Sequence, residues 1–130
     1  MTDRAFPVIF ATRVSATAAF YEQLGFIRHV HLPPDGDPGY VGLRRGAYEL
    51  AVVDFRWPAD HYGRAVGDGP RFEMFVYVDD VDQTVERLRE QATVLCEPAD
   101  MPWGERVGYV TDPDGNPVAI ATAPSAPAAT

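Results

Sequence analysis

The sequence predicts an α+β fold made of two βαβββ modules. Two observations predict it. The order strand, helix, strand, strand, strand occurs twice along the 130 residues. An offset of 67 positions also lays Arg13-Val14, at the start of the first helix, on Asp80-Val81, at the start of the second. The same offset sets Phe6 against Glu73 and Phe10 against Tyr77. We divide the chain into a first module with a long connecting loop (1–70), a second module (71–122) and a tail (123–130), in one structural domain.

Each element has a local reason. Phe6–Ala11 (FPVIFA) is a short apolar strand, and Pro7 places it at an edge or a bend. Val14, Ala18, Tyr21 and Leu24 share one face of a helix, with Ser15 as a possible N-cap and Gly25 as the residue that ends it. Phe26–Leu32 is the next strand, and the breaker-rich Pro33–Gly39 is a loop. Tyr40–Leu43 and Ala47–Asp54 form a hairpin across Arg44-Arg45-Gly46. Phe55–Pro70 is read as a long connection whose Trp57, His61 and Tyr62 either wall a ligand or tack the loop down.

Phe72–Asp79 is the clearest strand of the second half. Asp80 is its N-cap successor, with Gln83 in the capping-box position and Val81, Val85, Leu88 and Ala92 as the apolar stripe. Thr93–Pro98 is a strand, and lone Cys96 within it is expected to be a small core residue. Arg106–Thr111 and Pro117–Ala121 close the chain as a hairpin around Asp112-Pro113-Asp114-Gly115-Asn116. The Ala, Pro and Ser tail is expected to be disordered.

Composition narrows the partners. The formal net charge is −8, so nucleic acid and anionic membrane surfaces are poor partners, while a cationic or neutral ligand is favoured. One cysteine permits no internal disulfide, and neither a signal peptide nor a membrane-spanning apolar run is visible; a cytoplasmic location is expected. No serine or cysteine nucleophile has a histidine at a telling spacing, and no glycine loop for phosphate appears.

The element order, FYEQLGF at Phe20–Phe26, VDDVD at Val78–Asp82 and WGERVGYVTDPDGNPV at Trp103–Val118 together resemble the vicinal oxygen chelate superfamily. That superfamily includes glyoxalase I, extradiol dioxygenases and the bleomycin-resistance proteins. The resemblance implies two modules forming a cupped mixed sheet, and in many members a dimer. In the enzymes each module offers two metal ligands. Those positions fall here at Phe6, Glu49, Glu73 and Ala119, of which only the two glutamates carry a lone pair to give. Three protein ligands are wanted for zinc or iron, so no metal and no other cofactor is expected. Glu49 and Glu73 either line a wet cavity or act as a metal-free acid/base pair. His29, His31 and His61 map to none of these positions.

Strand alternation places Phe6, Phe10, Glu49, Glu73, Phe75 and Tyr77 on the ligand side, with Trp57, His61, Tyr62 and Trp103 as walls. These ten residues are the expected ligand-binding set, and no catalytic residue is assigned. The missing ligands, the acidity and the early Pro7 resemble the bleomycin-resistance branch, which implies a homodimer that exchanges its first strand near Pro7 and sequesters a drug. The expected function is non-catalytic sequestration of a large aromatic or cationic antibiotic. The alternative is a metal-dependent or metal-free lyase, isomerase or dioxygenase of the same superfamily.

Overall fold

The computed structural model describes residues 4–123. Of the tail 123–130 expected to be disordered, residues 124–130 lie outside them, while Thr122 ends the last strand. The chain divides into two compact units between Asp68 and Gly69, beside the predicted boundary.

The first unit runs β1 (Val8–Ala11), α1 (Val14–Glu22), β2 (Ile27–Leu32), β3 (Tyr40–Arg45), β4 (Tyr48–Asp54) and α2 (Trp57–Tyr62). Its sheet has the order β1-β4-β3-β2, with β1 parallel to β4 and the other pairs antiparallel. Helix α1 packs on β3 and β4. Its buried Val14, Ala18 and Tyr21, followed by Leu24, are the predicted stripe. Leu43, Leu50 and Val52 complete this core, and the Tyr21 ring meets Phe20 and Phe26 edge-on. Burying such side chains supplies about 1.5–3 kcal/mol each, which the ordering entropy of the chain largely offsets.

The second unit runs β5 (Met74–Tyr77), α3 (Val81–Leu88), β6 (Val94–Asp100), β7 (Arg106–Thr111) and β8 (Pro117–Thr122). Its order, β5-β8-β7-β6, repeats the first sheet, again with one parallel pair, β5 with β8. Asp80 caps α3 by accepting from the Gln83 N–H, and Val81, Val85 and Leu88 are buried under it. Gly108 lies where a Cβ would meet Val85 at 3.0 Å and Pro98 at 3.2 Å, so only glycine lets α3 seat this closely on β7.

Several expectations are corrected. The Phe55–Pro70 connection contains a helix, α2: Pro58 sits in its first turn and Gly63, at φ 76°, ends it in the left-handed region. Arg13, not Ser15, is the N-cap of α1, and it makes no side-chain cap bond. Cys96 is exposed, because β6 is an edge strand whose register shifts on both sides of it. β1 begins at Val8, so Pro7 and Phe6 precede the strand; Phe72, Glu73, Val78 and Asp79 likewise fall outside β5.

Candidate functional site

In the first unit the sheet face opposite α1 carries an open apolar groove of about 670 Å³. The parallel register sets Val8 beside Ala51 and Phe10 beside Val53, with Ile9 and Ala11 on the opposite, helix-facing side. Val8, Leu32, Pro33, Tyr40, Val53 and Trp57 form the apolar lining. Val8, Leu32 and Trp57 remain 42%, 52% and 46% exposed, an uncommon cost for side chains of this kind on one surface. Asp54, Arg56 and Asp60 rim the groove.

Helix α2 supplies its aromatic wall. Trp57 and His61 lie one helical turn apart, so their rings stack at 4.4 Å and 17°. Tyr62 meets His61 edge-on at 6.0 Å and is itself half exposed. The turn into α2 is fixed by Asp54, whose carboxylate takes the Arg56 guanidinium at 2.7 and 2.9 Å and the Arg56 backbone N–H at 2.8 Å. These bonds hold the Asp54 carboxyl down at about 2. A depressed pKa contributes stability that is complete above the unfolded carboxyl value and is lost as pH falls through the folded one. The stability difference between the parent chain and Asp54→Asn is therefore expected to be constant above about pH 5 and to vanish toward pH 2, read by urea unfolding across that range.

The other predicted residues of this unit form a separate cluster. Arg4 grips Glu49 through two bonds of 2.8 Å, and its guanidinium lies 5.0 Å from the Phe6 ring centroid. The Arg4 hydrogen bonds lower the Glu49 pKa. His29 Nε2 stands 3.7 Å from the same carboxylate, brought there by the β2 bulge that separates it from the even alternation with His31. His31 instead donates from Nδ1 to the Pro33 carbonyl at 2.8 Å.

In the second unit Phe75 and Tyr77 project together from β5, ring centroids 5.5 Å apart, and both are partly exposed. Glu105, 8% exposed, accepts from the Tyr77 hydroxyl and, at 2.6 Å, from the Trp103 indole N–H. Its hydrogen bond raises the Tyr77 pKa. Glu73 is exposed just before β5 and stands near enough to Tyr109 to contribute, after burial, to the raised pKa of that phenol. Ala119 lies opposite Phe75 in the register.

The donor set does not fit a catalytic metal. Phe6 and Ala119 offer no lone pair, and both oxygens of Glu49 are taken by Arg4. Among the described residues no three His, Cys, Asp or Glu side chains lie close enough to hold an ion. Sequence reasoning had no signal for Arg4, Tyr40 or Leu32, whose roles arise from register. Glu105 was visible within the WGER stretch, but only the fold shows that two aromatics converge on it.

Comparison with known proteins places the chain. No curated protein matches it. A structure of a hypothetical protein, SA1046 from S. aureus, is similar with TM-score 0.78 at 18% identity, covering 95% of both chains. TioX from Micromonospora sp. ML1 is similar with TM-score 0.69 at 20% identity over 95% of this chain and 98% of that one. A glyoxalase-related enzyme from Fulvimarina pelagi is similar with TM-score 0.75 at 25% identity, covering 95% and 89%. The family model for the Glyoxalase/Bleomycin resistance protein/Dioxygenase superfamily matches residues 5–120, and the chain belongs to that superfamily.

Proposed function

We propose that this chain is a non-catalytic binding protein that sequesters a large aromatic or cationic natural product of the antibiotic type. The observation that carries this reading is the groove of about 670 Å³ in the first unit, apolar in its floor and walled by Trp57, which His61 backs by stacking on it. A groove of that size suits a flat drug-sized molecule held by burial and stacking. The acidity of the chain favours a cationic one. The donor set described above supports binding rather than metal-assisted chemistry. The protein works as a homodimer in a cytoplasmic setting; β1 (Val8–Ala11) follows Pro7 and pairs with β4 of its own chain, so the segment that an exchange at Pro7 would pass to the partner is the one preceding it. No helix among the described residues is long and apolar enough to cross a membrane.

One observation favours a second reading. The relative from Fulvimarina pelagi, at 25% identity, is described as a glyoxalase-related enzyme. A metal-free lyase or isomerase is the form that the carboxylates here would support.

A melting scan with bleomycin and with daunorubicin, each with and without EDTA, separates the two. A ligand that binds only the folded chain stabilises it by about 2.7 kcal/mol at one hundred times its dissociation constant, a rise of roughly 8 °C for a domain of this size. Sequestration predicts such a rise with at least one drug, unchanged by EDTA. A flat response to both, or stabilisation that EDTA removes, contradicts it.

A further inference from the structure

We propose that the second unit carries its own subsite for an organic cation, built by Phe75, Tyr77 and Trp103 around the buried carboxylate of Glu105. This rests on the reading of the chain as a binding protein and adds a site in the second unit with a stated ligand chemistry. The Glu105 side chain is 8% exposed, and its two oxygens accept only from neutral donors, the Tyr77 hydroxyl and the Trp103 indole. Among the described residues no arginine or histidine makes an ion pair with it, whereas Glu49, Asp54, Asp82 and Glu97 each have an arginine. A carboxylate taken out of water without a counter-charge is costly, and it lowers that cost by drawing a cation to its surroundings.

The surroundings are made for one. Ala119, Ala121 and Val107 form a buried floor on the sheet face opposite α3, with Tyr109 and Met101 packed on it. Phe75 and Tyr77 rise beside Ala119 and Ala121 in the β5 register, 40% and 45% exposed. Trp103 is 57% exposed while its N–H is tied to Glu105. Both hydrogen bonds to Glu105 thus fix two aromatic rings at the surface, and each ring receives electron density from the anion it donates to. Electron-rich aromatic faces around a desolvated carboxylate attract a quaternary ammonium or a protonated amine more strongly than a neutral group of the same shape, and repel an anionic one. Exposed Glu73, which precedes β5, adds charge of the same sign.

The test uses the full chain labelled with 15N at its two indoles, Trp57 and Trp103, with the Trp103 signal assigned by its loss in Trp103→Phe. Choline is titrated against its neutral isostere 3,3-dimethylbutan-1-ol. We expect a saturable shift of the Trp103 indole with choline and a response at least about tenfold weaker with the isostere. Glu105→Gln removes the charge, and the choline shift is expected to fall to the level of the isostere. Equal responses to the two compounds, no response to choline, or an undiminished choline response in a folded Glu105→Gln chain overturns the proposal. The comparison of the two compounds decides it on the unsubstituted chain even if the variant does not fold. The Trp57 indole reports the groove of the first unit separately. Failure of drug sequestration therefore shows as silence of Trp57 toward bleomycin and daunorubicin, whatever Trp103 does with choline.

Discussion

Asp112→Ala is expected to cost about 3 kcal/mol of stability, a fall of roughly 10 °C in melting temperature. The reason lies in the DPDGN turn. One Asp112 oxygen accepts from the backbone N–H groups of Asp114 and Asn116, both at 2.9 Å, and the other from the Asn116 side-chain amide at 3.0 Å. Asp112 and Asn116 are 3% and 0% exposed, so water does not replace these bonds. Asn116 in turn accepts the Arg71 backbone N–H at 3.0 Å, which ties the turn to the chain entering β5. Alanine leaves buried donors without acceptors, each costing about 1–3 kcal/mol. Asp112→Asn is expected to be intermediate, since its amide presents a donor to the Asn116 donor. Urea unfolding of the three chains measures this, and a loss below about 1 kcal/mol for the alanine variant would contradict the account of the turn.

Trp57→Ala is expected to weaken drug binding at least tenfold, about 1.4 kcal/mol, while costing less than about 1 kcal/mol of stability without ligand. Trp57 is 46% exposed and stacks on His61, so the folded chain gains little from it; a flat ligand seated in the groove gains a ring face. Calorimetric titration with the drug that raises the melting temperature gives the affinity, and unfolding of the free chain gives the stability. Unchanged affinity would place the ligand outside the groove.

How far the sequence foretold these features depends on the distance over which each is determined. The helices α1 and α3 were legible because their stripes and the Asp80 cap are local patterns. The repeat was legible because element order survives where residue identity does not. Helix α2 was missed: six residues give too little periodicity, and its Pro58 and Gly63 read equally well as loop punctuation. Cys96 was misplaced because an edge strand with two register shifts has the composition of a buried one. Among site residues, Trp57 and His61 were legible only as aromatics of a long connection, and their stacking depends on the helix that the sequence did not show. Phe6 and Glu49 were named for the family position they occupy, while their partner Arg4, 45 residues from Glu49, was out of reach of any local pattern.

A sequestered drug leaves the groove as it entered. The most direct measurement is the mass and amount of the drug recovered by denaturing a saturated complex after prolonged incubation. Sequestration predicts one stoichiometric equivalent per groove with unaltered mass and no turnover beyond it. A changed mass, formed in excess over protein, would contradict sequestration and make the chain an enzyme.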